Sequence, residues 1–410
     1  MTALDSDVPV RSTAQRVLFV DDEPHLLAAL RRMLRPERER WEMVFADSGA
    51  EALRLMAEQP VDAIVSDMRM PGMSGAELLS LVQHDFPSTA RIILSGQADL
   101  TSILAVVRSA QQFLAKPCDA QTLASTIDRA LSVQRSLADR ELRELIGGVT
   151  SLPSLPHVYH ELVDAIESAD ADLPCVARIL ASDIATSTDL LKLVNSAFFG
   201  LPREVGSVES AVSLLGLENI QALVLAGSVF RMNDKLTRSL DAEELRDRSL
   251  HRAAIGRVIA EHEGWPRHER DIAVLSCLLR EVGELVLAEG LPVAARRLAT
   301  RLREEDGPVD PDRRSRLETE CYGCTVSQAS AYLLAQWGFS PAVVHTVATH
   351  PVAGSDPGIS RFEWVLDFAS RQALDPGSPV ILRHDSYLTG ERAQRWTAAT
   401  AGVAGPRSEG

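Results

Sequence analysis

Along residues 16–134, short apolar runs alternate with longer stretches whose apolar residues recur every three or four positions. The runs at Arg16–Val20, Trp41–Ala46, Val61–Ser66, Arg91–Leu94 and Gln112–Leu114 predict strands. The longer stretches at Glu23–Leu34, Ala50–Ala57, Gly75–Gln83 and from about Asp119 predict helices. Five strands alternating with helices predict an α/β doubly wound, five-stranded parallel sheet covered on both faces.

From Val149 to about Leu374 the strand signals vanish and helical patches follow one another, separated by Pro, Gly and Asp. His157–Ala165, Pro174–Leu180, Ile184–Val194, Val208–Leu215, Ile220–Met232, Arg246–Glu261, Glu269–Ala288, Val293–Arg303, Val326–Trp337, Pro341–His350 and Phe362–Leu374 are the predicted helices. Between the two regions Leu123, Ile127, Leu131, Leu137, Leu142 and Leu145 predict one long amphipathic helix, stopped by Gly147 and Gly148. Two readings of it stay open: a signalling or dimerising helix, and a solvated linker helix. The expected organisation is a first domain at 14–134, a linker helix at 135–148, an all-α domain at 149–375 and a weakly ordered tail at 376–410.

Composition narrows the function. An apolar share of 45% and a charged share of 24% exclude a wholly disordered chain. The 410 residues fit two or three domains. A net charge of −15 opposes binding of nucleic acid through the overall field, and 5% aromatics leave little for base stacking. No helix-turn-helix with a basic recognition helix is evident. Arg31–Arg40 and Arg296–Arg303 are read as solvated helix surface, so no direct nucleic-acid contact is expected. No apolar run is long enough for a membrane span, and the first residues lack the plan of a secretory signal. Five cysteines, Cys118, Cys175, Cys277, Cys321 and Cys324, suit free thiols in a cytoplasmic protein. Cys321 and Cys324 form a lone CxxC, half of a zinc ligand set.

In doubly wound sheets, polar residues at the carboxyl ends of strands converge on one crevice. Asp21 and Asp22 end the first predicted strand, Asp67 the third, Ser95 the fourth, and Lys116 with Pro117 the fifth. Three clustered carboxylates call for a cation, and a hard divalent ion such as Mg²⁺ prefers oxygen ligands. Lys116 and Ser95 suit the oxygens of a phosphoryl group transferred to a carboxylate. Lys116-Pro117 is a candidate cis peptide.

This segment, with its acidic pair, DMRMPGMSG at 67–75, a hydroxyl residue and Lys-Pro in order, resembles the receiver domain of two-component response regulators. The resemblance implies that Asp67 is the phosphoacceptor. It implies that Asp22, Asp67 and the backbone carbonyl of Arg69 hold Mg²⁺, with Asp21 orienting the ion through water. It implies a sensor histidine kinase as partner and a switch role for Phe113 beside Ser95 and Lys116.

The second region carries SLPSLP at 151–156, LLKLVNSAFFG at 190–200, SVESAVSLLGL at 207–217 and AYLLAQWGF at 331–339. These resemble the HDOD family, output domains related to HD metal-dependent phosphohydrolases. Such a hydrolase needs a His-Asp dyad and further histidines around a metal that activates water. The equivalent place is CLLREVG at 277–283, where Arg280 and Glu281 stand for the dyad. A guanidinium stays protonated and cannot ligate a metal. Arg248 stands where an upstream histidine is expected, and Ser327 where relatives often carry another. His157, His160, His251, His345 and His350 are read as ordinary helix residues. The expectation is therefore a phosphorylation-controlled, non-catalytic output domain acting through an unknown protein partner, with a homodimer as an open alternative. The competing expectation is a metal-dependent phosphohydrolase, or a binder, of a cyclic dinucleotide of the c-di-GMP type.

Overall fold

The computed structural model describes residues 15–95, 110–134, 139–149, 172–195, 204–216, 242–305, 311–349, 360–374 and 390–403, with a few isolated positions between them. The amino-terminal part is an α/β sheet of strands β1 (Gln15–Val20), β2 (Trp41–Ala46), β3 (Ala63–Asp67), β4 (Ala90–Ser95) and β5 (Gln112–Ala115). Their order is β2-β1-β3-β4-β5, joined by four parallel pairings. Helices α1 (Pro24–Met33), α2 (Gly49–Glu58), α3 (Gly75–Asp85) and α4 (Ala120–Gln134) connect or follow the strands. Ser74 starts α3 with a reciprocal capping box to Glu77, which ties the loop after Asp67 to a rigid helix.

Successive strand residues point to opposite faces, and the core divides accordingly. Val17, Phe19, Val65, Ile92 and Leu114 pack with Leu123 and Ile127 of α4. Leu18, Val20, Ile64 and Ile93 face the other way, and their apolar cluster runs on through Leu142 and Ile146 into the helical part. The doubly wound sheet is therefore followed by helices that share its second core.

The joint differs from the single helix expected. Helix α4 is described as far as Gln134, and a separate helix α5 spans Arg140–Gly147. Asp139 is extended, and its carboxylate accepts hydrogen bonds from the amides of Glu141 and Leu142. A side chain that caps a helix start cannot also lie mid-helix, so Asp139 restarts the chain direction. Residues 135–138, including Leu137, lie outside the described residues.

The carboxyl-terminal part contains α6 (Leu173–Ala181), α7 (Ile184–Val194), α8 (Val208–Leu215), α9 (Ala242–His262), α10 (Arg267–Leu279), α11 (Val282–Gly290), α12 (Pro292–Arg303), α13 (Pro311–Tyr322), α14 (Val326–Gln336), α15 (Pro341–Ala348), α16 (Arg361–Leu374) and α17 (Gly390–Thr400). Four differences from the pattern stand out. The stretch Glu269–Ala288 is two helices, α10 and α11. Arg280 and Glu281 form the bend between them, where the amide of Gly283 donates to Ser330 Oγ at 2.9 Å. Arg231 and Met232 pair as a short strand with Pro153 and Ser154 instead of ending a helix, while most of 220–230 lies outside the described residues. Helix α13 was missed because its surface is charged nearly all round. The tail was expected to be loose, yet α17 is packed: Trp396 is fully buried edge-on to Phe368, and its Nε1 donates to Glu263 at 2.7 Å.

The two parts meet at the amino ends of β4 and β5. Arg91 is fully buried and donates to Pro87 O at 3.3 Å, Thr89 O at 3.1 Å and Gly147 O at 2.8 Å. Gln83 Nε2 donates to Gly148 O at 2.7 Å. Close by, Lys192 of α7 lies under the ring of Trp337, with Nζ 4.4 Å from its centroid. Burial pushes the Lys192 pKa down to about 8 from 10.5, against the pull of Asp189, and nearby Arg91 adds to the lowering. Between those two pH values the unfolded chain binds more protons at this site than the folded one. This site's contribution to stability therefore rises with pH across that window. Lys192→Met is expected to flatten this rise, measured by urea unfolding at pH 7.5 to 10; an unchanged profile would refute it.

Candidate functional site

The parallel register puts the carboxyl ends of β1, β3, β4 and β5 on one edge, and the strand-end residues gather there. Asp21 is buried, and its Oδ1 accepts from the amide of Glu23 at 3.0 Å. Lys116 Nζ donates to Asp21 Oδ2 at 2.8 Å and also to Asp67 Oδ1. The other Asp67 oxygen accepts from the amide of Arg69 at 2.7 Å. Burial alone would lower the Lys116 pKa, but the two carboxylates it bonds outweigh this and raise it. The ammonium therefore stays charged and neutralises part of the carboxylate cluster.

The surrounding backbone holds this arrangement. The Lys116 amide donates to Ser95 O at 2.7 Å, and the Lys116-Pro117 peptide is cis. Gly72 turns the loop after Asp67 with a positive φ of 78°. Gly75 lies so close to Asp67 that a Cβ there would stand 2.0 Å from the Asp67 carbonyl oxygen. Ser95 is buried, and its hydroxyl meets Met68 Sδ at 3.7 Å. Asp22 is half-buried next to Asp21. Phe113 pairs with Ile93 through its backbone; its ring lies outside the described residues.

The surroundings of Arg280 and Glu281, where the sequence predicts a degenerate dyad, are built from ion pairs. Glu281 Oε2 accepts from Arg248 Nε at 2.9 Å and pairs with Arg252 at 2.7 Å. Arg248 also reaches Glu284 at 3.4 Å, and Arg314 pairs with Glu284 at 3.1 Å and Glu318 at 2.9 Å. Burial opposes the charge on Glu281, yet the guanidiniums of Arg248, Arg252 and Arg314 hold its carboxyl well below the usual range. Arg280 points away and donates to the carbonyls of Val347 at 3.2 Å and Thr349 at 3.5 Å. Glu284, Arg314 and Glu318 escaped the sequence reading, although their Arg/Glu spacing on adjoining helices was the available signal.

Of the histidines, His251 is buried on α9, and His345 is exposed 3.3 Å from Glu363. His157, His160 and His350 lie outside the described residues. Among the described residues no cluster of three or more His, Cys, Asp or Glu is placed to hold a metal ion by itself. Cys321 and Cys324 are free, and burial pushes the Cys324 thiol up to about 12. No helix among the described residues is long and apolar enough to cross a membrane.

Comparison with known proteins matches both halves. The model of the response regulator receiver domain matches residues 17–128, and that of the HDOD domain matches residues 152–352. Transcriptional regulatory protein GlrR of Escherichia coli K12 is 37% identical over 131 residues, 32% of this chain and 29% of GlrR. An uncharacterized protein of Treponema pallidum is 27% identical over 218 residues, 52% of this chain and 39% of that protein. The chain thus spans well under half the length of these relatives. Among solved structures, the receiver domain of an HD domain-containing protein from Pseudomonas fluorescens Pf-5 is 32% identical, with a TM-score of 0.29, covering 32% of this chain and 96% of its own. The MmoQ response regulator from Methylococcus capsulatus is 25% identical, with a TM-score of 0.44, covering 60% of this chain and 98% of its own. The strand-end carboxylates with their lysine, and the family models on either side of the joint, lead to one conclusion: the chain belongs to the two-component response regulators, with a receiver domain at 17–128 and an HDOD domain at 152–352.

Proposed function

We propose that Asp67 accepts a phosphoryl group from the phosphohistidine of a sensor kinase, and that the acyl phosphate controls the HDOD domain. The observation that carries this reading is the double hydrogen bond of Lys116 to Asp21 and Asp67. An Asp67 oxygen attacks phosphorus, the phosphorus–nitrogen bond breaks with its electron pair going to nitrogen, and the histidine leaves as neutral imidazole, its other ring nitrogen already carrying the proton. Lys116 follows the charge onto the phosphoryl oxygens, and the Ser95 hydroxyl turns from Met68 toward them. The Arg69 amide keeps one Asp67 oxygen oriented before attack.

The donor set suits Mg²⁺: the carboxylates of Asp22 and Asp67 and the Arg69 carbonyl offer the hard oxygens such an ion takes, and Asp21 would orient it through water. When bound, the ion offsets charge on the transferring phosphoryl group. The acyl phosphate adds about −1.5 to −2 charge by analogy with other phosphorylated side chains.

The output domain is read as non-catalytic, acting through contacts with another protein. The arginines of the former metal position support this: Arg248 and Arg252 occupy Glu281, the carboxylate a metal would need. Incubation with phosphoramidate and Mg²⁺ is expected to add one phosphoryl group to the wild type and none to Asp67→Asn, read by intact mass. Equal uptake by both would refute the assignment of Asp67. Stoichiometric iron or manganese together with turnover of c-di-GMP would overturn the non-catalytic reading.

A further inference from the structure

The strand that leads into Lys116 also touches the helical domain, at its opposite end. Gln112, the first residue of β5, donates through Nε2 to the carbonyls of Ala335 at 3.5 Å and Gln336 at 3.3 Å in α14. Gln111 donates through Nε2 to Gln336 Oε1 at 3.0 Å and to Gly147 O at 3.2 Å, while its Oε1 accepts from the Arg91 amide at 3.0 Å. Both glutamines are buried. Helix α14 also packs on α4 and α5. A single short strand therefore links the carboxylate cluster to the output domain, over about 13 Å at a rise of about 3.3 Å per residue.

We propose that β5 is the tie between the two domains: while Lys116 grips Asp21 and Asp67, β5 is seated so that Gln111 and Gln112 clasp the end of α14, and phosphorylation of Asp67 opens this clasp. The inference rests on the reading of Asp67 as the phosphoacceptor. Its physical basis is length and bond quality. A phosphoryl group on Asp67 places phosphorus and its oxygens between the carboxyl and Lys116, so the ammonium must move. Lys116 and Gln111 are both hydrogen-bonded by their amides to β4, at Ser95 O and Arg91 O, so the strand shifts along that pairing as a unit. At the far end the Gln112 bonds are long for N–H···O bonds, and a small displacement breaks them. The released surface is the carboxyl end of α14 with Trp337 beside it.

Hydrogen–deuterium exchange on the full chain tests the tie. In wild type carrying one phosphoryl group, amides of 331–337 are expected to exchange about fivefold faster, the size of one net hydrogen bond. Asp67→Asn treated alike is expected to show no change. Lys116→Met without any phosphodonor is expected to speed the same amides, because it cuts the grip directly. Gln112→Ala is expected to take up the phosphoryl group as wild type does, but with 331–337 fast in both states and α9 unchanged. Phosphorylated wild type with unaltered exchange at 331–337 would overturn the proposal, as would unaltered exchange in Lys116→Met. If wild type takes up no phosphoryl group, the reading of Asp67 falls, and Lys116→Met alone decides the tie.

Discussion

Glu281→Ala is expected to destabilise the helical domain by about 3–5 kcal/mol, the cost of leaving a buried charge without its partner. Arg252 is 1% exposed and Arg248 is 9% exposed at the side chain, and Glu281 is the carboxylate common to both. Glu284 is no substitute, because it also serves Arg314. The folded-state pKa of Glu281 is depressed, so its contribution is present above the ordinary value of 4.5 and fades as pH falls below it. Urea unfolding at pH 7 is therefore expected to separate wild type from variant widely, and at pH 3.5, one unit below the ordinary value, by about 1.4 kcal/mol less. Replacing Arg248, Arg252 and Glu281 together by Met, Met and Leu is expected to cost far less than the single change, since no charge is then stranded. A loss under 1 kcal/mol for Glu281→Ala at pH 7 would refute this account of the cluster.

Gly75→Ala is expected to cost at least about 3 kcal/mol in the receiver, the upper range for overpacking, because backbone rather than side chain must yield. The added Cβ would lie 2.0 Å from the Asp67 carbonyl oxygen and 3.0 Å from Ile93 Cδ1. The displaced residue is the one whose carboxylate Lys116 holds, so phosphoryl uptake is expected to fall with stability. Gly72→Ala is the control. Its φ of 78° carries a strain cost of about 1–2 kcal/mol, but the space around it is open. Thermal unfolding and phosphoramidate labelling of both variants check the ranking; Gly72→Ala proving the more damaging would sink the argument.

Much of this molecule was legible as periodicity. The apolar spacing of Ile184–Val194 and Val208–Leu215 marked two helices at the bounds observed: the second buries one apolar face, and the first is buried all round with Leu190, Leu191, Leu193 and Val194 at its end. Polar helices were harder. In α13 the buried carboxylate of Glu318 is paired by Arg314 of the same helix, and pairing of that kind gives no apolar signal. Helix α17 buries Ala393, Trp396 and Thr400 at helical spacing, but only Trp396 is large and apolar, so its hydrophobic signal is weak. The break at Arg280 and Glu281 was hidden because both flanking segments are equally apolar.

The strand-end rule assembled Asp21, Asp67 and Lys116 from sequence, since parallel strands of a doubly wound sheet deliver their carboxyl ends to one edge. It did not foresee that Ser95 turns toward Met68. Nor was there any local cue that Gln111 meets Gln336, 225 residues away.

By itself, then, the chain's order of residues determined the sheet and the edge that gathers the carboxylates. These follow from local geometry and from the fixed chemistry of each side chain. Only the tertiary structure decided that Arg248 and Arg252 share Glu281, that the joint restarts at Asp139, and that the HDOD domain is held at the amino ends of β4 and β5. Those outcomes depend on which buried polar groups meet across distant segments, and burial forces every such group to find a partner without saying in advance which one.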